Sequence, residues 1–385
     1  NIIKDPFVKK RILATDILII DEISMVDGLL FDMLNAICKA IRGTKYQRYK
    51  DLPFGAIQLI LVGDFYQLPI VNKANGYIYS SNAWKEAKLI KIELTQCMRQ
   101  NDADFIQLLN MIRHSDKELL NSENKYRKIL ESRIIPLENI IAPIPNLEPT
   151  MLYSHNIDVD KINNDRLDIR IKTNNAAAQA VIMGLADEEE IKRLEMQYKL
   201  IKFIAQTKII SKNSNTITQA HSKYMIDTAL KRVPARQDTF LTVGCQMMLI
   251  ANIDVENNLA NGSRCVVTEL IYEGENCTAV ICEFVIKGQA KKIQISKHEW
   301  TVVIDDDYSV AVTQIPLILA YATTIHKSQS CTLDFVYCEL DKCFESGQVY
   351  TALSRARNLD GLFIGNMIDL EKYFNKFGNS SEIIE

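Results

Sequence analysis

Residues 17 to 26 read ILIIDEISMV, four branched apolar residues followed by two acids. An apolar run without period-two alternation suits a strand covered on both faces of a parallel sheet, which puts Asp21 and Glu22 at its carboxyl end. Open α/β sheets bind ligands there, and a carboxylate in that place can reach a Mg²⁺ held on nucleotide phosphates. The same residues also suit a plainer role, because Asp21, Glu22 and Ser24 can cap a following helix through its free amides. A second apolar strand ends in GDFYQLPIV, residues 63 to 71. Gly63 permits a tight backbone, Asp64 repeats the acid after the strand, and Gln67 brings a neutral amide able to orient a water or sense a phosphate oxygen. Two strands ending in acids are harder to explain as caps than one.

Positioning these groups requires alternating strands and helices. DGLLFDMLNAICKAIR, from Asp27, has apolar residues at 29, 30, 33, 34, 37, 38 and 41, the spacing of a helix face. RGTKYQRYKDLPFG, with basic and aromatic residues beside a Pro and Gly, is expected to be a loop able to touch phosphates and bases. Residues 114 to 150 turn polar, with Pro136, Pro143, Pro145 and Pro149, and a domain boundary is expected there. TMLYSHNIDVDKINNDRL then reads as a short strand, a turn and a helix, and 186 to 204 as a charged helix. Between Thr239 and Val312 short strands with Gly and Asn turns predict a small β-barrel inserted in a second α/β domain. FVYCEL and GLFIG read as buried strands after the α/β pattern returns.

The 385 residues allow two to three domains. Hydrophobic residues make up 47% and charged residues 24%, an ordinary globular balance, and a net charge of −3 excludes a general polycation while leaving room for a local basic groove. No apolar run approaches the length of a membrane span, and no secretory signal is visible. Nine scattered cysteines point to reduced thiols in an intracellular protein. Cys277 and Cys282 lie close together but read as core residues rather than zinc ligands.

Seven segments, in order, resemble the Pif-one-like DNA helicases of superfamily one: IIDEISMVDGLLFDML, PFGAIQLILVGDFYQLPIV, LTQCMRQNDADFIQLLNMIR, LYSHNIDVDKIN, LTVGCQMMLIANIDVENNLANGSRCVV, IPLILAYATTIHKSQSCTLD and GQVYTALSRARNLDGL. The resemblance implies an α/β fold of two RecA-like parallel-sheet domains, the first incomplete, with an inserted SH3-like barrel. Residues 1–146 would hold the first domain, 147–238 and 313–385 the second, and 239–312 the barrel. It further implies ATP and Mg²⁺ as cofactors and hydrolysis coupled to 5′-to-3′ movement of a monomeric motor on single-stranded DNA. Forks or structured DNA would be its substrates, in a nucleus or another DNA-containing compartment, with replication, recombination, repair and telomere maintenance as its settings.

Carried over residue by residue, Asp21 resembles the magnesium acid, Glu22 the residue that polarises the attacking water, and Gln67 the γ-phosphate sensor. Arg99 and Arg355 resemble two arginines that reach the phosphates, a task suited to a planar, permanently charged guanidinium. A plainer role for Arg355 is a cation at a helix C-terminus. Thr324, His326, Lys327 and Ser328, in TTIHKSQS, resemble the segment that meets the DNA backbone.

Two departures stand out. The family usually has Gly where Ser330 stands. No G-x-x-x-x-G-K-[ST] phosphate loop occurs in the sequence, and it is expected upstream of the first acidic strand in a longer protein. The alternative expectation is a nucleic-acid-binding or scaffold module without ATPase activity.

Overall fold

The computed structural model describes residues 3, 5–141, 147–183, 187–212, 218–257, 259–286, 289–305, 307–366 and 369–377. Pro143 and Pro145 lie outside the described residues. The chain folds as two compact units, one of Asn1–Ile135, Ile325–Asp334 and Cys338–Glu385, the other of Pro136–Thr324 and Phe335–Tyr337. Residues from Ile325 on, apart from Phe335–Tyr337, thus group with the N-terminal segment.

The first unit opens with α1 (Pro6–Ala14), capped by Asp5, whose carboxylate accepts from the amides of Phe7 and Val8. β1 (Ile17–Ile20) follows, then α2 (Gly28–Arg42) and β2 (Gln58–Leu61). β1 and β2 pair in parallel from Ile17 with Gln58 to Ile20 with Leu61. Asp27 caps α2 by accepting from the Leu30 amide, and Lys39 and Arg42 lie in its last turn, where cations suit the helix dipole. The RGTKYQRYKDLPFG segment is not wholly irregular, since Gln47–Lys50 and Pro53–Ala56 form short 3-10 turns. Phe31, Cys38, Phe54, Ile57 and Ile78 form the buried core of this layer.

Two expectations are corrected here. β1 is not covered on both faces, because Ile17 and Ile19 are exposed, Ile19 at 64%. On α2 the buried stripe runs through Phe31, Asn35, Cys38 and Ile41, leaving Leu29, Leu30 and Met33 exposed. The physical reason is shared: a two-stranded sheet with its layer on one side leaves the opposite apolar positions uncovered.

α3 (Asn82–Ala87), α4 (Ala103–Arg113) and α5 (Lys125–Glu131) complete the N-terminal part. Asp102 and Asn124 cap α4 and α5.

The second unit starts with β3 (Thr150–Tyr153) and α6 (Asn156–Ile182), the strand, turn and helix expected from sequence. α7 (Glu188–Tyr198) is followed by β4 (Ile201–Ile204), so the expected charged helix stops short of 204. β5 (Gln206–Ser211), α8 (Gln219–Arg232), β6 (Asp238–Leu241) and β7 (Gln246–Leu249) come next. The strand-rich stretch continues with β8 (Arg264–Glu273), β9 (Asn276–Ile286), β10 (Gln289–Ser296), β11 (His298–Val303) and β12 (Tyr308–Gln314). β13 (Leu317–Leu319), β14 (Ala322–Thr324) and β15 (Val336–Cys338) follow.

The strands expected in a barrel fall into three sheets, β6 pairing with β4 and the rest lying in two larger ones. One runs in the order β10-β9-β8-β7-β13, the other β11-β12-β5. The latter joins residues 298–314 to 206–211, a partner outside the expected 239–312 segment. Cys282 is a core residue of the larger sheet, with Val267, Val280 and Phe284. β14 lies parallel to β3, and buried Asn163 ties α6 to the start of β14 by accepting from the Tyr321 and Ala322 amides and donating to the Ala322 carbonyl.

The chain returns to the first unit with α9 (Gln348–Leu353), β16 (Leu362–Ile364) and α10 (Leu370–Phe377). Ile364 forms a parallel bridge with Ile134, with the Ile135 amide donating to the Ile364 carbonyl. Among the described residues no helix is long and apolar enough to cross a membrane.

Candidate functional site

The first unit brings together the ends of β1 and β2 and the segments around 325–334 and 345–356. Beyond the paired strands the Ile23 amide donates to the Val62 carbonyl at 3.0 Å, so the two acidic turns start side by side. At Gly63 a Cβ would lie 2.8 Å from the Ile23 nitrogen, which explains glycine at that close approach.

Asp21 is exposed and spends one oxygen on the Glu22 amide, 2.8 Å away. Glu22 itself sits at φ 51°, a left-handed conformation uncommon for a residue with a side chain and frequent at functional sites. Its carboxylate accepts from Gln329 Nε2 at 2.6 Å and from the Ser330 hydroxyl. Neither acid caps the short helical turn Ile23–Met25, at whose N-terminus Glu22 makes no side-chain bond. The capping alternative therefore fails for Glu22.

Asp64 pairs with Arg113 at 3.0 Å and accepts from the Tyr66 amide, while Gln67 Nε2 lies 3.4 Å from its other oxygen. The guanidinium of Arg113 stacks over Tyr66. Gln67 Oε1 is buried and, among the described residues, has no hydrogen-bond partner.

The Gln67 backbone is held from the other side by Gly347, at φ 72°, where an added Cβ would meet the Gln67 carbonyl oxygen at 2.1 Å. Gly347→Ala is expected to destabilise the chain by about 3 kcal/mol, through the left-handed backbone and the overlap together. Gly262→Ala, at φ 96° with nothing within 4 Å, should cost only the backbone part. Denaturant unfolding of the two variants checks this; equal losses would show that the contact at Gln67 is not tight.

Arg355 is 1% exposed. Its Nε donates to the Thr351 carbonyl at 2.8 Å, Nη2 to the Ser354 hydroxyl at 2.9 Å, and Nη1 approaches the Cys331 carbonyl at 3.4 Å. The bond to Thr351 is the helix-end role weighed from sequence, and it uses one face of the guanidinium. Among the described residues Arg355 makes no ion pair, and burial, with Arg99 nearby, pulls its pKa down to about 10, so it stays charged at neutral pH. Arg99 donates to the Thr332 hydroxyl and the Ser354 carbonyl, both at 3.0 Å. Gln100, which sequence reading passed over, fixes the same turn by donating to the Ser354 and Ala356 carbonyls. Two guanidiniums lie beside one turn, and the buried one feels the Glu22 carboxylate but forms no ion pair among the described residues, which makes a place for an anion.

The four residues expected to meet DNA are not one exposed surface. Ser328 is buried and its hydroxyl donates to the Ile325 carbonyl; Thr324, in the second unit, is also buried. Burial holds the His326 imidazole below its ordinary 6.5, against the pull of Glu345. Lys327 is the exposed cation of the set.

The donor set fits magnesium in its nucleotide-bound mode, one carboxylate with phosphates and waters taking the other positions, and the exposed Asp21 would supply that carboxylate. Among the described residues no cluster of three or more His, Cys, Asp or Glu could form a protein-only cage.

A PIF1-like helicase family model matches residues 1–123, and the 2B domain of the DNA helicase Pif1 matches 230–270. The ATP-dependent DNA helicase PIF1 of Xenopus laevis is 33% identical over 364 residues, covering 93% of this chain and 48% of that protein. The human protein of the same name is 33% identical, covering 93% and 47%. The chain thus spans about half the length of these curated relatives. The crystal structure of the Pif1 helicase from Candida albicans is similar at a TM-score of 0.65 and 28% identity, covering 96% of this chain and 78% of that one. With the acidic strand ends, the paired arginines and these matches agreeing, the chain belongs to the PIF1-like helicase family.

Proposed function

We propose that this chain is the larger part of an ATP-dependent DNA helicase that couples hydrolysis to 5′-to-3′ movement on single-stranded DNA and so displaces the complementary strand. The observation that carries this reading is Arg355, a buried guanidinium with no ion pair among the described residues, beside Arg99 and on the same unit as Glu22 and Gln67. A buried cation without a direct ion pair, with only Glu22 as a nearby acid, is stabilised when an anion visits it, and a transferring γ-phosphoryl group is such an anion.

In this reading Glu22 takes the proton of the attacking water, and Gln67, whose Oε1 has no partner among the described residues, turns its amide toward that water or a phosphate oxygen. Arg99 and Arg355 stabilise the charge that develops on the phosphoryl oxygens. Asp21 would hold magnesium, and the ion supplies charge neutralisation at the phosphates. Lys327 offers a cation to the DNA backbone. We place the two RecA-like domains and the β-rich insertion in the expected order, as a proposal.

No phosphate-cradling loop occurs in the sequence, and we assign that part to the additional length of the relatives. Such a segment would cover the exposed Ile17, Ile19, Leu29, Leu30 and Met33. Phosphate release should be measured, with and without single-stranded DNA, for the 385-residue chain and for a version extended as in the relatives. DNA-stimulated release is expected from the extended protein alone, because positioning is most of phosphoryl-transfer catalysis. Robust release by the shorter chain would overturn the assignment of the missing cradle. Silence from both, with DNA binding retained, would favour the binding module instead. A strand-displacement assay on duplexes with 5′ or 3′ tails tests the direction.

A further inference from the structure

We infer that Ser330, acting with Gln329, is a positioning residue that aims the Glu22 carboxylate, and that its hydroxyl is the reason a serine occupies a backbone position shaped for glycine. Ser330 has φ 64°, where an L side chain is strained and glycine is not. A residue that accepts this strain while glycine would relieve it must gain something from its side chain, and the hydroxyl donates to one Glu22 oxygen. Gln329 Nε2 donates to the other at 2.6 Å.

The turn that presents both donors is itself held. The Gln329 amide donates to the His326 carbonyl, the Cys331 amide to the Ser328 carbonyl, and the Ser328 hydroxyl to the Ile325 carbonyl. Gln329 is buried and, among the described residues, its Oε1 has no partner, so the amide is oriented by its bond to Glu22. A carboxylate oxygen has two lone pairs. One donor on each therefore fixes the plane of Glu22 and leaves each oxygen a further site for a water. Glu22, at φ 51°, is a side chain on a strained backbone clamped from two sides, which is how a group is kept in one productive geometry.

This inference rests on the reading of Glu22 as the water-activating acid, and the test separates the two. In the extended protein, Ser330→Gly and Ser330→Ala should each lower kcat by about 10-fold, the scale of one hydrogen bond to a charged group, with KM for ATP changed less than about 2-fold. Ser330→Gly should melt no lower than the parent and Ser330→Ala lower, because only glycine relieves the left-handed backbone. Adding Ser330→Gly to Glu22→Gln should lower kcat no further. Unchanged kcat in both serine variants, or a loss in Ser330→Ala alone that follows its melting temperature, would overturn the inference. Near-normal turnover in Glu22→Gln alone would instead overturn the assignment of Glu22. The 385-residue chain gives a reading that needs no activity: unfolding of Glu22→Ala, Ser330→Ala and the double variant should depart from additivity by about 10-fold in the equilibrium constant. Additive effects there would show that the two side chains do not interact.

Discussion

Arg355→Ala in the extended protein is expected to lower ATP turnover by about 10³-fold, the scale of an arginine that stabilises a transferring phosphoryl group. The geometry sharpens this expectation. Arg355 is buried and keeps its charge at neutral pH, so the unit already carries the cost of a poorly solvated cation. Alanine removes that cost together with the bonds to the Thr351 carbonyl and the Ser354 hydroxyl, and these changes oppose each other. The melting temperature should therefore move little while turnover collapses. Arg355→Lys keeps a charge but not the planar fork, and most of the loss should persist. If Arg355→Ala instead melts far lower and activity per folded molecule is intact, the residue is a helix-end cation and nothing more.

The acids at strand ends were legible because they follow apolar runs, and a run of that kind followed by a carboxylate is a local pattern. β1, β2, the helix after Asp27 and the strands from 246 to 296 were readable on the same ground. What could not be read locally is coverage. Four apolar residues at 17–20 look the same whether one face is buried or both, and only the number of layers decides that Ile19 is exposed. Pairing at a distance was equally hidden: β12 takes β5 as a neighbour across about a hundred residues, and no periodicity announces it.

The site was legible in its charged members and not in the neutral ones that hold them. Gln329 and Ser330 meet Glu22 across more than 300 residues, and Gln100 reaches the turn of Ser354 across 254. Arg113 lies 49 residues from Asp64 at the end of an otherwise ordinary amphipathic helix, and its bond to Asp64 had no signal in the sequence. The substitution of Ser for Gly at 330 was visible, but its meaning was not until the positive φ and the bond to Glu22 stood together.

Glu22→Gln is the second large effect, with turnover expected to fall by roughly 10²-fold or more while ATP still binds. Glutamine keeps the shape and can still accept from either Gln329 or Ser330 through its carbonyl oxygen, but the other carboxylate oxygen becomes an NH₂ that must face a donor. The side chain thus loses both the negative charge that takes a proton from water and one of its two fixed contacts. Because Asp21, Arg99 and Arg355 are untouched, nucleotide affinity in the extended protein should change by less than about 10-fold, a limit set by loss of a single charge-assisted contact. A nucleotide-binding titration beside steady-state phosphate release separates the two quantities. Near-normal turnover in Glu22→Gln would mean that the proton leaves by another route, and the bonds from Gln329 and Ser330 would then be only a structural clasp on a left-handed turn.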